Sequence, residues 1–110
     1  MPVNVYYLDD EEALCDLFSE LVGSEQIAIK TFTDPGEAIS ACNSNPPDIF
    51  FIDYRLPGTT GDLVALDIEE SIPKVLVTGD LSCKSSYQFN KVISKPCDYE
   101  EVSNIISEFL

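Results

Sequence analysis

The sequence predicts a single α/β domain in which helices cover both faces of a parallel β-sheet. Short apolar runs alternate with longer segments of helical periodicity along all 110 residues. The apolar runs are continuous rather than alternating with polar positions, as is typical of strands that are buried on both faces. A chain of this length provides one hydrophobic core. We therefore assign residues 1–110 to one domain.

Five strands are predicted from short segments rich in β-branched and aromatic residues. They cover residues 3–8, 27–32, 48–53, 74–78 and 91–94, and the third is the most apolar. Helical periodicity fills most of the intervals between them. The first helix runs from about residue 11 to the residue before Gly23, the second starts at Asp34-Pro35, the third ends near Ser71, and the last covers about residues 98–110. Between Gly79 and Asn90 the periodicity is poor, which predicts a fourth helix that is short, distorted or missing.

Five βα units in this length fit a flavodoxin-like doubly wound sheet with the strand order 2-1-3-4-5. Ligands of such sheets bind beyond the carboxyl ends of the strands, where the strand order reverses. Asp9 and Asp10 follow the first strand, Asp53 ends the third, Thr78 ends the fourth and Lys95 follows the fifth. Carboxylates that lie close together oppose one another's ionisation, and a divalent cation with oxygen ligands relieves this. The sequence therefore predicts a site for Mg²⁺, or alternatively Mn²⁺, at this edge of the sheet.

The charge of the chain excludes nucleic acid as a partner. Twenty Asp and Glu residues stand against six Lys and Arg residues, for a net charge of −14, whereas binding to nucleic acid needs clustered cations. A protein or a small cation is the expected partner. No signal peptide and no apolar run of membrane-spanning length is present, which predicts a soluble, cytoplasmic protein. Cys15, Cys42, Cys83 and Cys97 form no CxxC pair and there is no histidine, so free thiols are expected rather than disulfides or a zinc site.

Four fragments of the chain, each at the end of a predicted strand, resemble the receiver domains of response regulators. Leu8-Asp9-Asp10-Glu11 is similar to the acidic pair that follows the first strand of that family. Residues 48–61, Asp-Ile-Phe-Phe-Ile-Asp-Tyr-Arg-Leu-Pro-Gly-Thr-Thr-Gly, resemble the phosphoacceptor strand and its loop. Thr78-Gly79 and Lys95-Pro96 resemble the last two motifs, and the likeness covers essentially the whole chain.

The resemblance implies a signalling domain rather than an enzyme, with at most self-phosphorylation and self-dephosphorylation activity. Asp53 is then the phosphoacceptor, which receives a phosphoryl group from a sensor histidine kinase or a phosphotransfer protein. An unknown downstream protein then binds according to whether Asp53 is phosphorylated. Thr78 and Lys95 are expected to bind the phosphoryl group. The implied Mg²⁺ ligands are Asp10 and Asp53 directly, Asp9 directly or through water, and the backbone carbonyl of Arg55. The Lys95-Pro96 bond is a candidate cis peptide, since proline makes the cis form accessible.

Two departures from the family pattern favour an alternative function. Val92 stands three residues before the lysine, where receiver domains usually carry an aromatic residue that reports phosphorylation, and the fourth helix is weak. The alternative is a pseudo-receiver, an interaction module that signals without phosphorylation. Simpler explanations of single residues also exist: Asp9-Asp10 can be a helix cap, and Thr78 can be only a strand residue.

Two other classes of protein, an aspartyl phosphatase and a flavodoxin, fit the sequence less well. An aspartyl phosphatase of the haloacid-dehalogenase family needs a second aspartate two residues after the first, and Arg55 stands there. A flavodoxin needs a phosphate-binding loop after the first strand, and none is present. We also expect Arg55 and Asp80 to face each other at the entrance to the site, as a gate that slows attacking water or only as an exposed ion pair.

The first helix carries two apolar ridges, and the sequence leaves open how many are buried. Packing of both against the sheet is the simpler interpretation, and exposure of one to the kinase or phosphotransfer helix is the alternative. The ridges are Ala13, Leu17 and Leu21, and Leu14 and Phe18.

Overall fold

The secondary structure alternates strands and helices as the sequence predicts. The computed structural model describes residues 2–80 and 85–109. Its elements in chain order are β1 (Val3–Leu8), α1 (Glu12–Val22), β2 (Ile27–Phe32), α2 (Pro35–Ser44), β3 (Ile49–Asp53), β4 (Arg55–Leu56), β5 (Thr59–Thr60), α3 (Gly61–Leu66), β6 (Lys74–Thr78), β7 (Lys91–Ser94) and α4 (Tyr99–Glu108). No helix within these ranges is long and apolar enough to cross a membrane.

The main sheet has five parallel strands in the order β2-β1-β3-β6-β7. Because β6 and β7 are the fourth and fifth of the predicted strands, this order confirms the flavodoxin-like topology. The sequence did not predict β4 and β5, which pair with each other in a separate antiparallel hairpin directly after β3. Pro57 and Gly58 connect them, and Gly58 has a φ of +74°, which glycine adopts without steric cost.

Two apolar clusters, one on each face of the sheet, form the core. The first packs α1 and α4 against the sheet, and the second packs α2 and α3. Phe18 of α1 stacks on Tyr7 of β1 and contacts Phe51 of β3. Every residue of β3 is buried. Packing on both faces of the sheet therefore fixes the position of this strand and of Asp53 at its end.

The third helix is shorter than the sequence predicts, since α3 ends at Leu66 rather than near Ser71. Ile68 and Ile72 still pack into the core, but from a turn-rich segment. The Lys74 side chain is fully buried, and its ammonium donates to the backbone carbonyls of Glu69 and Ile72 at 2.7 and 3.0 Å. The Glu69 carbonyl also accepts from the Ile72 amide at 3.1 Å, so both carbonyl groups of this non-helical segment have donors.

Residues 79–80 and 85–90, the described part of the weak fourth-helix region, contain no helix. The prediction of a short, distorted or missing helix also involves residues 81–84, which lie outside the described residues. Side chains of the core hold the described part: Asp62 accepts from the Ser86 amide at 2.7 Å, and Lys74 donates to the Tyr87 hydroxyl at 3.1 Å. Tyr87 and Phe89 pack against the second cluster.

The cysteines are in the thiol form where the structure describes them. Cys15, Cys42 and Cys97 are free, which confirms the expectation for these three. Cys83 lies outside the described residues.

Candidate phosphoacceptor and metal site

The predicted strand ends meet at one edge of the sheet. Asp9, Asp53 and Thr78 are buried there and Asp10 is exposed. Asp9, Asp10 and Asp53 each offer a carboxylate oxygen, and these three oxygens lie within 4.8 Å of one another. A cavity of about 300 Å³ opens beside them, lined by Asp10, Glu11, Asp53, Arg55, Thr78, Gly79 and Lys95. The fold thus brings together all the site residues that the sequence predicts.

Lys95 bridges two of the three carboxylates. Its ammonium nitrogen lies 3.0 Å from Asp9 Oδ2 and 3.0 Å from Asp53 Oδ1. The Lys95 amide also donates to the Thr78 carbonyl at 2.9 Å, which ties the end of β7 to the end of β6. The Lys95-Pro96 peptide bond is cis, as expected.

Burial and the neighbouring carboxylates make ionisation of Asp53 unfavourable. Burial is the main cause that raises the pKa of Asp53, and the charges of Asp9 and Asp10 add to it, while Lys95 partly opposes it. The resulting pKa is about 6, against an ordinary value of 3.8. For Lys95, burial lowers the pKa, but its bonds to Asp9 and Asp53 outweigh burial, so the pKa is raised overall and the ammonium stays charged.

Asp9 is held by donors on both carboxylate oxygens. Oδ1 accepts from the Glu11 amide at 2.9 Å, and Oδ2 accepts from the Tyr7 hydroxyl at 2.7 Å as well as from Lys95. Burial, followed by the hydrogen bond to Asp9, raises the pKa of Tyr7 far above its ordinary value, so the phenol remains a donor. Sequence reasoning missed Tyr7, because in sequence it is one more aromatic residue of a buried strand.

Thr78 is engaged in a local hydrogen-bonded turn. Its hydroxyl donates to the Asp80 carbonyl at 3.2 Å and accepts from the Asp80 amide at 3.0 Å. The Asp80 carboxylate lies 3.5 Å from Arg55 Nη2, with both side chains substantially exposed. Arg55 and Asp80 therefore face each other beside the cavity, as the sequence predicted, although an exposed pair of this kind contributes only about 0–1 kcal/mol to stability.

The donor set fits a hard divalent cation. All three clustered groups are carboxylates, and such oxygen ligands suit Mg²⁺ or Mn²⁺. A cation at this position also relieves the repulsion that raises the Asp53 pKa. Arg55 lines the same cavity, but its carbonyl as a further ligand stays a prediction.

Valine replaces the aromatic residue that receiver domains usually place three positions before the lysine. Val92 occupies that position, and 54% of it is exposed on the outer strand β7. Tyr87 and Phe89 instead pack against the core and contact each other. Rotation of an aromatic side chain at position 92 is therefore not available to this chain.

Comparisons with known proteins agree with the geometry. The profile of the response regulator receiver domain matches residues 5–107, so the chain belongs to this family. Domains of this family accept a phosphoryl group in two-component signalling. No curated protein matches the sequence significantly.

Solved structures share the fold over the full length of the chain. A CheY-like receiver domain from Methylobacillus flagellatus is 22% identical with a TM-score of 0.87, and each chain is covered completely. The response regulator TrrA from Thermotoga maritima, solved in complex with Mg²⁺ and beryllium fluoride, is 24% identical with a TM-score of 0.87, over 98% of this chain and 99% of its own. The chemotaxis regulator CheY4 of Vibrio cholerae is 18% identical with a TM-score of 0.85 and complete coverage of both chains.

Proposed function

We propose that Asp53 is phosphorylated in a magnesium-dependent reaction and that phosphorylation switches the protein contacts of the domain. The donor is a histidine phosphate on a sensor kinase or phosphotransfer protein, and the free thiols are consistent with a reducing cytoplasm. The observation that carries the proposal is the buried Asp53 carboxylate, which shares one lysine with Asp9 inside a three-carboxylate cluster.

Asp53 is the nucleophile of the proposed reaction. One of its carboxylate oxygens attacks phosphorus, the P–N bond to the donor imidazole breaks, and the electron pair of that bond stays on the imidazole nitrogen, which takes up a proton. Asp9, Asp10, Asp53 and the Arg55 carbonyl would hold Mg²⁺, which would neutralise charge on the moving phosphoryl group. Lys95 then turns from the Asp53 and Asp9 carboxylates, which it bridges in the structure, to a phosphoryl oxygen.

Thr78 supplies the second new bond to the phosphoryl group. Its hydroxyl rotates away from the Asp80 carbonyl, which it contacts in the structure. Shifting a conformational equilibrium from 1:99 to 99:1 needs roughly 5.5 kcal/mol. Charge-assisted hydrogen bonds from Thr78 and Lys95 contribute about 1.5–3 kcal/mol each. This is close to the free energy that a switch needs, so signalling through the loops does not require an aromatic residue at Val92.

The exposed ridge of α1 is the proposed docking surface for the donor protein. Phe18 is buried and Leu14 is half-buried, whereas Leu17 and Leu21 are 43% and 54% exposed. An apolar cavity next to this ridge reaches Lys95 and the loop that follows it. The exposed acidic residues of α1 around the ridge, Glu12, Asp16 and Glu20, favour a partner helix whose apolar stripe is flanked by basic side chains.

Phosphorylation by a small donor tests the proposal without a cognate kinase. The purified domain is incubated with acetyl phosphate and Mg²⁺, and its intact mass is measured. We expect a gain of one phosphoryl group in the wild type, and none in Asp53→Asn or with EDTA. If the wild type gains no phosphoryl group under any of these conditions, the domain is a pseudo-receiver, the alternative that exposed Val92 favours.

A further inference from the structure

Tyr7 places a hydroxyl group directly behind the acidic cluster. The side chain is 2% exposed, and its ring stacks on Phe18 with the ring centres 4.2 Å apart and an interplanar angle of 2°. The hydroxyl donates to Asp9 Oδ2 at 2.7 Å inside the protein. A ring fixed in this way fixes the position of its hydroxyl, so the phenol is a rigid donor.

We propose that Tyr7 is a positioning residue of the metal site: its hydroxyl holds the Asp9 carboxylate when Lys95 leaves it for the phosphoryl group. The inference rests on the proposed function and deepens it. It assigns a role to a residue whose hydroxyl contacts one carboxylate of the cluster rather than the reacting atoms.

The number of donors around Asp9 is the reason for this role. Asp9 is fully buried, and its Oδ2 accepts from two donors, Tyr7 and Lys95. Lys95 is shared with Asp53 at the same distance. When Lys95 turns to the phosphoryl group, Tyr7 is the remaining side-chain donor to Asp9 among the described contacts. A buried carboxylate that loses its partners is costly, and its orientation is no longer fixed.

The two oxygens of Asp9 are held from two directions. The Glu11 amide donates to Oδ1 and the Tyr7 hydroxyl donates to Oδ2. Together they fix the plane of the carboxylate and leave its remaining lone pairs available to a cation. Groups that orient a metal ligand in this way typically change metal affinity by about 10–100-fold when they are removed.

The test compares Tyr7→Phe with Tyr6→Phe, which is a matched control. Tyr6 is the preceding residue of the same strand, belongs to the cluster on the other face, and donates to the Asn45 carbonyl, away from the site. Each variant loses one buried phenolic hydroxyl and keeps its ring. Circular dichroism verifies the fold of both, and calorimetry measures the Kd for Mg²⁺ with and without beryllium fluoride as the phosphoryl analogue.

We expect Tyr7→Phe to raise the Kd for Mg²⁺ by about tenfold or more, and Tyr6→Phe to change it by less than about twofold. The effect of Tyr7→Phe is expected to be larger with beryllium fluoride, because Lys95 is then engaged elsewhere. Equal Kd values for the two variants overturn the positioning role while the wild type still binds Mg²⁺. A wild type that binds no Mg²⁺ overturns the proposed function together with this inference.

Discussion

Replacing Asp53 by asparagine tests the electrostatics of the cluster through stability alone. The pKa of Asp53 is about 6, against an ordinary value of 3.8. Between these two values the native domain holds a proton that the unfolded chain has released. The contribution of protonated Asp53 to the free energy of unfolding is therefore complete below pH 3.8 and is lost as the pH rises through about 6. The asparagine side chain of the variant carries no charge at any pH and lacks this dependence.

The size of the effect follows from the shift. Two pKa units at about 1.4 kcal/mol each give a penalty of about 3 kcal/mol for the ionised Asp53 in the metal-free native domain. Only part of this free-energy penalty develops within a pH range that is practical for unfolding experiments. Relative to Asp53→Asn, the wild type is expected to lose about 1.4 kcal/mol of unfolding free energy between about pH 5 and pH 7.5.

Urea unfolding in EDTA, followed by circular dichroism at several pH values, measures this difference. The exposed Asp67→Asn is the control for the loss of one negative charge from an acidic chain. Excess Mg²⁺ is expected to stabilise the wild type more than Asp53→Asn, because the cation binds the ionised carboxylate. A stability difference between wild type and Asp53→Asn that does not change with pH in EDTA would refute the raised pKa of Asp53, which burial causes and the neighbouring carboxylates increase.

Two further substitutions test contacts outside the cluster. Arg55→Ala is expected to shorten the lifetime of the aspartyl phosphate, measured by intact mass over time. Stability is expected to change by less than about 1 kcal/mol, because the pair with Asp80 is exposed. An unchanged lifetime would contradict the hypothesis that Arg55 and Asp80 slow the attack of water. Lys74→Met is expected to destabilise the domain by about 1–3 kcal/mol in urea, because the Ile72 carbonyl loses its buried donor and the Glu69 carbonyl keeps only the Ile72 amide. A Lys74→Met variant as stable as the wild type would show that other groups or water satisfy those carbonyls.

The strand ends were predictable because a buried strand is visible as a run of apolar residues in its own segment of sequence. Asp53 follows four apolar residues, and Asp9 follows another apolar run. In a parallel sheet, such positions converge at one edge. The meeting of the carboxylates with Lys95 follows from that rule, whereas the strand order was expected from the likeness to a flavodoxin-like sheet. The contact between Arg55 and Asp80 also follows from the rule, since each lies two residues beyond a strand end.

The parts that escaped prediction depend on partners distant in sequence. Lys74 begins a strand and looks like an exposed boundary residue, but the carbonyls of Glu69 and Ile72, after the end of α3, and the Tyr87 hydroxyl surround its ammonium. Tyr7 has an ordinary place in an apolar strand, and only the folded chain brings its hydroxyl to Asp9.

Chemical trapping of the phosphoryl group tests the central claim most directly. The domain is phosphorylated with acetyl phosphate and Mg²⁺ and is then reduced with borohydride, which converts an aspartyl phosphate into homoserine. Fragment mass spectrometry locates the change. We predict homoserine at position 53 in the Mg²⁺ sample and unmodified aspartate at every position in the EDTA sample. Homoserine at another aspartate, or equal conversion with and without Mg²⁺, would contradict a magnesium-dependent phosphoacceptor at Asp53.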